Sequence, residues 1–595
     1  MSDIEKAKVT KKTTIRMFRY LLRQRWKLLL IVISLLASSL FGILSPRVLG
    51  KAINEIYEGV RNVVQSGGVF RVNFDTMGTL LLTLLALYLL QSVFSFIQQL
   101  TMTTVSQKFT LSLRKDISEK LTRLPLRYFD SHQKGDILSR ITNDIEKMAD
   151  TMEESLTELL SSVIGIVGAI AMMLIISPLL TLIAFCMIGV SLGIAFLMAS
   201  RTEQKFADNQ EILGKVNAGI EDAFTGNLVV KAFCLEEKMA SDNAQLNEDL
   251  YQAGTKSAFF SYVVNPLVRM VNHLGYVVIA VKGVMLVISG KISIGDIQAF
   301  FQYVNNVSEP VTDISYNINK LQAAIASAER VFELLDEEEE EPDPAVPVLP
   351  EDPKGNIRFE HIFFGYSKDK ILMEDVSIDI KAGSKVAIVG PTGAGKTTLV
   401  NLLMRFYDLM GGRITLDGVD IVKMGRGELR SLTAMVLQES WLFGGTIKEN
   451  IAYGHEGASD EAVYEAAEAA CADHFIRTLP LGYNTLLSEE MDSLSQGQRQ
   501  IITIARAILA DPMILILDEA TSSVDTKTEL EIQKAMDTLM KGRTSFVIAH
   551  RLSTIRNADC ILVMDEGSII EQGSHDELMR QNGFYADLYN SQFVM

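Results

Sequence analysis

Six apolar runs dominate the first half of this 595-residue chain, at Leu28–Leu49, Met77–Leu100, Leu156–Ile176, Leu179–Met198, Phe259–Ser289 and Gly295–Ile318. Runs of about 20 residues, rising about 1.5 Å each, match a hydrocarbon layer of about 30 Å. In such a layer a helix satisfies its own backbone hydrogen bonds, so these runs predict an all-α domain of six transmembrane helices over residues 1–330. Lys6, Lys8, Lys11, Lys12, Arg16, Arg19, Arg23, Arg25 and Lys27 precede the first run against only Asp3 and Glu5. By the positive-inside rule this puts the N-terminus in the cytosol. The first run is too long for a signal-peptide core, and an even number of crossings returns the chain to the cytosol. A multi-pass protein of the cell membrane is expected, with its N-terminus and its second half cytosolic.

The connections between runs are uneven. Ser177-Pro178 and Gly290–Ser293 are short outer turns, whereas residues 101–155 and 199–258 are polar and helix-patterned, with few breakers. These inner connections predict helices that continue well beyond the bilayer. In the sixth run, Gln298, Gln302, Asn305, Glu309 and Asp313 recur at helical spacing and therefore share one face. A charge in hydrocarbon costs about 2.5 to 3.5 kcal/mol, so this stripe must meet protein or water. Two readings remain: the stripe lines a cargo cavity, with Glu309 facing it, or Asp313 pairs internally with Arg269. Arg47 and Lys282, nearer the outer edge, can snorkel. Met172, Met173, Met187 and Met198 are expected to pack against neighbouring helices.

Residues 331–353 read as a linker, whose acidic, proline-containing stretch from Asp336 is expected to be solvated. Beyond it, residues 354–595 have the mixed pattern of a soluble domain. The hydrophobic fraction of 48% reflects the apolar first half, and a formal charge of −17 argues against nucleic acid as a partner. Cys186, Cys234, Cys471 and Cys560 have no metal-like spacing and read as reduced thiols.

The soluble half is organised around Gly390-Pro391-Thr392-Gly393-Ala394-Gly395-Lys396-Thr397-Thr398, which fits G-x-x-x-x-G-K-[ST] in full. An apolar strand from Lys385 to Val389 precedes it and a helical pattern from Leu399 follows, the context that lets backbone N–H groups face phosphate oxygens. Lys396 can reach the β- and γ-phosphates, and the Thr397 hydroxyl can ligate Mg²⁺. The chemistry implied is binding of a nucleoside triphosphate.

Further motifs follow in order: Tyr366 after Phe363-Phe364-Gly365, Gln438 after Met435-Val436-Leu437, Leu494-Ser495-Gln496-Gly497-Gln498, the apolar strand Met513–Leu517 ending in Asp518-Glu519, then Asp525, and His550 after Phe546–Ala549. In the first half, Leu124–Asp130 with Gly135–Asp144, and Glu221–Gly226 with Val229–Phe233, stand in the two inner connections. Together these resemble ABC exporters with six membrane helices per half. The resemblance implies an α/β P-loop ABC ATPase domain over 354–595 and two coupling helices that dock on such domains. It implies ATP and Mg²⁺ as ligands, with Tyr366 stacking on adenine, residues Gly390–Thr398 cradling phosphates, and Thr397, Gln438 and Asp518 at the metal. Glu519 would orient the attacking water, and His550, Gln438 and Lys396 would contact the γ-phosphate region.

In that family the signature loop completes the site of the opposite subunit, so Ser495, Gln496, Gly497, Gln498 and Asp525 would act in trans and a second half-transporter is needed. Here Gln496 replaces the first glycine of the usual L-S-G-G-Q, which should weaken the site that this loop completes. An intact Glu519 beside an irregular signature resembles the catalytic-glutamate subunit of bacterial heterodimeric multidrug exporters. The partner would carry a regular signature and a replaced Walker B glutamate; the alternative is a homodimer that tolerates glutamine. Ser488-Glu489-Glu490-Met491 also departs from the exporters' G-E-x-G. The expected activity is ATP-driven export of amphipathic compounds, drug-like molecules or lipids, from the cytosol or inner leaflet, in contact with membrane lipids. The rivals are a lipid flippase or peptide exporter working as a homodimer, a non-transporting regulator or channel on the same fold, and an importer.

Overall fold

The computed structural model describes residues 10–66, 73–367, 370–437, 440–487, 494–518, 526–549 and 552–593. They form two compact units, one holding the chain up to Arg123 together with His132–Glu338, the other holding Leu124–Ser131 and the chain from Glu339.

The first unit is helical. Its main helices are α1 (Thr10–Leu22), α2 (Arg25–Ser66) and α3 (Phe74–Leu121), then, past α4 (Leu126–Ser131) of the second unit, α5 (Lys134–Ile176), α6 (Pro178–Thr225), α7 (Asn227–Ala232), α8 (Glu236–Ile288) and α9 (Ile294–Asp336). Among the described residues, five helices are long and apolar enough to cross a membrane, namely α2, α3, α5, α6 and α8. The sixth expected span, α9, is a continuous helix of 43 residues. It falls short of that apolarity because Gln298, Gln302, Asn305, Asn306 and Glu309 interrupt it. The 48 residues of α3 and of α6 reach about 70 Å each, which accounts for the length of the inner connections.

Local chemistry explains the short outer turns. At 177–178, Ser177 caps α6 by accepting the Leu180 N–H at 3.3 Å, and Pro178 supplies the first helical residue, whose N–H would be orphaned anyway. At 293–296, Ser293 and Asp296 form a reciprocal capping box at the start of α9. Asn54 of α2 completes it, with its Nδ2 donating to Ser293 Oγ at 2.8 Å and its Oδ1 accepting the Gly295 N–H at 2.7 Å. This brings the α2 and α9 backbones so close that a Cβ on Gly295 would lie 1.8 Å from the Gly50 carbonyl oxygen. Gly295→Ala is therefore expected to destabilise the unit by about 3 kcal/mol, read as a lower thermal unfolding midpoint in detergent. An unchanged midpoint would show that the helices separate without cost.

The centre of this unit packs Met173, Ala184, Ile279, Phe300, Tyr303 and Val307. Tyr303, fully buried, donates its hydroxyl to the Ile43 carbonyl at 2.7 Å and so ties α9 to α2. Further along α9, Arg330 binds the buried Asp144 carboxylate through both Nε and Nη2. Lys320 pairs with Glu154 at 2.6 Å, and Arg16 of α1 pairs with Asp336 at 2.7 Å.

The second unit is α/β. A four-stranded antiparallel sheet runs in the order β2-β1-β4-β5, formed by β1 (Ile357–Phe364), β2 (Met373–Ile380), β4 (Gly411–Leu416) and β5 (Val419–Asp420). A six-stranded sheet runs β12-β11-β3-β10-β9-β6, from β3 (Lys385–Val389), β6 (Thr433–Val436), β9 (Ile514–Asp518), β10 (Thr544–Ile548), β11 (Cys560–Asp565) and β12 (Ser568–Gly573). All its neighbours are parallel except the edge strand β12. A short pair, β7 (Gly445–Thr446) with β8 (Leu486–Leu487), lies apart. The parallel strands are apolar along most of their length because both faces are covered. Val389, Leu515, Leu517 and Val547 face one core, and Ile388, Ile514, Ile516 and Phe546 the other.

The acidic stretch differs from the expectation of solvation. Helix α9 continues to Asp336, with Val331 and Leu334 fully buried. Past it, Asp343 accepts from Arg426 Nη1 at 2.9 Å and from the Arg426 backbone N–H at 2.9 Å. The Glu341 carbonyl accepts from the same guanidinium at 2.6 Å, and Asp343 also pairs with Arg405 at 3.4 Å. Both arginines are buried, and buried cations need such partners, so part of the acidic run is structural.

Candidate nucleotide site

The phosphate loop joins β3 to α10 (Lys396–Leu403). Gly390, Gly393 and Gly395 take φ of 154°, 88° and 96°, the region that side chains avoid. A Cβ on Gly390 would come within 2.1 Å of the Met564 carbonyl oxygen, so this turn admits glycine alone. The first N–H groups of α10 have no partner within the helix, and with the helix dipole they favour an anion. Lys396 Nζ donates to the carbonyls of Gly390 at 2.7 Å and Pro391 at 2.9 Å, holding its charge over the loop. Burial pushes this ammonium below the usual lysine range, and the charge of Asp518, at the end of β9, opposes that shift. A cavity of about 140 Å³ opens here, lined by Gly390, Pro391, Thr392, Lys396, Ala549 and Tyr589 among others.

Strand register assembles the rest. Ile548 pairs with Ile388 on one side and with Asp518 on the other, so the C-terminal ends of β3, β10 and β9 share one sheet edge. Glu519, Asp525, His550 and Gln438, together with Ser488–Met491, lie outside the described residues. Tyr366 is exposed, and its hydroxyl lies 2.8 Å from Thr398 Oγ1 on the first turn of α10. Thr397 sits beside that contact. The signature residues form another helix start: Ser495 caps α11 (Gln496–Ala510), its Oγ accepting the Gln498 N–H at 3.2 Å while Gln498 Oε1 accepts the Ser495 N–H at 3.0 Å. Gly497 is buried, and Gln496 is an exposed first residue.

This glycine-lined loop, with a lysine and a carboxylate in register beside it, fits a nucleoside triphosphate. Family profiles agree on both halves: one described as the ABC transporter transmembrane region matches residues 28–311, and one described as ABC transporter matches 373–522. The chain belongs to the ABC transporter family. It shares 44% identity over 592 residues, 99% of its own length and 95% of the relative's, with the uncharacterized ABC transporter ATP-binding protein YfiC of Bacillus subtilis. A fatty acid ABC transporter ATP-binding/permease protein of Mycobacterium tuberculosis is 43% identical, with 96% of this chain and 95% of that one covered. An ATP-dependent lipid A-core flippase of Syntrophus aciditrophicus is 35% identical, covering 88% and 86%. This ABC transporter is thus a multi-pass membrane protein, an exporter half that binds ATP and couples its hydrolysis to transport.

On the membrane side, Gln298, Asn305 and Glu309 lie on the exposed face of α9, with Gln302 half-buried, opposite the buried Phe300, Tyr303 and Val307. Tyr276 of α8 donates its hydroxyl to Asn305, rests edge-on against Phe301 and lies within electrostatic reach of Glu309. The Asp313 side chain lies outside the described residues, and Arg269 is exposed. Tyr276 was not foreseen, since nothing in its local sequence marks it as the partner of a stripe 29 residues away.

Proposed function

We propose that this chain is the hydrolysing half of a heterodimeric exporter in the cell membrane, moving amphipathic compounds from the cytosol or inner leaflet, with its N-terminus and ATPase unit cytosolic. The observation that carries the reading is the contrast within one chain between an intact phosphate loop with Asp518 and a signature helix that begins with an exposed Gln496. In the dimer Lys396 and His550 contact the γ-phosphate, and Glu519 orients water. Thr397, Gln438 and Asp518 would hold Mg²⁺, whose charge would offset that developing on the phosphoryl oxygens. Tyr366 faces adenine. Ser495, Gln496, Gly497, Gln498 and Asp525 complete the partner's site, where the Gln496 side chain crowds the backbone approach and slows turnover. The partner supplies a regular signature to this chain's site.

The cargo meets Gln298, Gln302, Asn305, Glu309 and Asp313. Exposure of Gln298, Asn305 and Glu309 along α9 supports this reading. The names of the Mycobacterium tuberculosis and Syntrophus aciditrophicus relatives add fatty acids and lipid A-core to the amphiphiles worth testing.

The test is ATP-driven uptake into inside-out vesicles bearing the chain, with and without its candidate partner. Fluorescent amphipathic cations, neutral dyes and fatty acid analogues serve as cargo, and Glu519→Gln as control. Uptake by the pair that falls about 100-fold in Glu519→Gln supports the reading. Equal uptake by the chain alone would overturn the heterodimer, and ATP hydrolysis without movement of any cargo would overturn amphiphile export.

A further inference from the structure

Beyond β12 the chain forms α12 (His575–Gln581), turns through Asn582 in the left-handed region at φ 48°, and enters α13 (Phe584–Phe593). Glu571 of β12 fixes the start of α13, its carboxylate accepting the backbone N–H of Phe584 at 2.7 Å and of Tyr585 at 2.9 Å. Such groups have no partner within their own helix, so one carboxylate sets both the place and the direction of its first turn. Tyr585 is fully buried, and its hydroxyl lies 2.8 Å from His575 Nδ1. Leu588 and Tyr589, three and four residues on, fall on the same helical face. The Tyr589 ring lies 5.1 Å from that of His575 and 6.0 Å from that of Tyr585, centroid to centroid. All three residues of this face line the cavity that also holds Pro391 and Lys396 of the phosphate loop and Ala549 at the end of β10.

We infer that Tyr589 is a positioning residue for ATP hydrolysis, its ring forming a wall that keeps bulk water from the phosphate cavity and holds the phosphate loop at a fixed distance from the end of β10. The role rests on the reading of this cavity as the phosphate site. The ladder between β3 and β10 ends at Ile388 and Ile548, with the Ala549 N–H donating to the Ile388 carbonyl at 3.2 Å. Past that point the two loops and α13 line one cavity, so the face of α13 takes over the spacing that the sheet no longer sets. Ala549 immediately precedes His550, and a shift of this strand end moves that residue relative to Lys396. Exclusion of water acts on Lys396 itself, whose ammonium burial already holds below the usual lysine range. In a dry site its attraction for a developing phosphoryl charge is stronger than in water. Tyr589 is only half-buried, so its ring can be removed without emptying the core around Tyr585.

The experiment is steady-state ATP hydrolysis by the full chain with its candidate partner in lipid nanodiscs, with hydrogen exchange on the same samples. Tyr589→Ala should lower kcat by about 10- to 100-fold, the scale of a misplaced reacting geometry, and leave KM within a fewfold of wild type. Tyr589→Phe restores the ring and should recover most of the lost turnover. Without nucleotide, peptides covering 390–398 should exchange faster in Tyr589→Ala while those covering 373–380 keep their rate. Should Tyr589→Ala unfold the unit, seen as faster exchange throughout, Tyr589→Leu carries the same test with a smaller loss of volume. Wild-type kcat in the Ala or Leu variant, a loss confined to KM, or a Tyr589→Phe as slow as Tyr589→Ala would each overturn the inference. Lys396→Ala tells its failure from that of the site: if Lys396→Ala alone slows turnover, the wall is refuted, and if neither change does, the reading of the cavity falls with it.

Discussion

Replacing Lys396 with Ala is expected to lower ATP hydrolysis by about 100-fold or more, the scale seen when one preorganised donor to a developing charge is removed. Its Nζ is held at 2.7 and 2.9 Å from the two carbonyls at the mouth of the loop, so its charge is in place before a phosphate arrives. Without it the loop keeps its glycine turn and its helix N-terminus, and these alone still attract an anion. The change should therefore fall more heavily on turnover than on nucleotide affinity. Steady-state phosphate release together with binding of a fluorescent ATP analogue separates the two. Lys396→Arg is not expected to restore activity, because a planar guanidinium does not replace a compact ammonium between two carbonyl oxygens. Turnover within a fewfold of wild type in Lys396→Ala would refute the assignment.

Lys396 could be read from the sequence because its constraints are local. Gly390, Gly393 and Gly395 each answer a backbone demand that no other residue meets cheaply, and the strand and helix flanking them lie within a few residues. The apolar runs were legible for a similar reason, since a helix satisfies its own backbone. What escaped was pairing at a distance. Asp343 reads as one more carboxylate in an acidic run, yet it pairs with Arg426, 83 residues on. Asp130 lies 277 residues from Tyr407, and no periodicity joins them. The polar stripe of α9 was visible from its spacing, but its contact with Tyr276 depends on how α8 lies against α9. By sequence, the Gly135–Asp144 stretch belongs with Leu124–Asp130 in one coupling element. The structure divides them: Leu124–Ser131 goes with the ATPase unit, while Asp144 turns inward among the membrane-unit helices to meet Arg330.

That last pair sets the largest expected effect on stability. The Asp144 side chain is 7% exposed and that of Arg330 32%, and the carboxylate receives both Nε, at 2.9 Å, and Nη2. Breaking a fully buried pair by removing one partner costs about 3 to 5 kcal/mol, because the remaining charge keeps its desolvation without its counterion. Arg330 retains some solvent, and Ser327 Oγ at 3.2 Å remains as an acceptor, so Asp144→Ala is expected to cost about 2 to 3 kcal/mol. A calorimetric or fluorescence midpoint in nanodiscs would register it as a shift of several degrees. Removing both charges should recover much of the loss, since an apolar pair of similar volume has no unpaired ion to desolvate; Asp144→Leu with Arg330→Met is the variant to compare. If the double variant is as unstable as Asp144→Ala, the cost lies in packing at the π-helical turn of Arg140–Asp144 and not in the loss of the ion pair. Asp144 then matters for the packing of the π-helical turn it ends, and the ion pair adds little to stability.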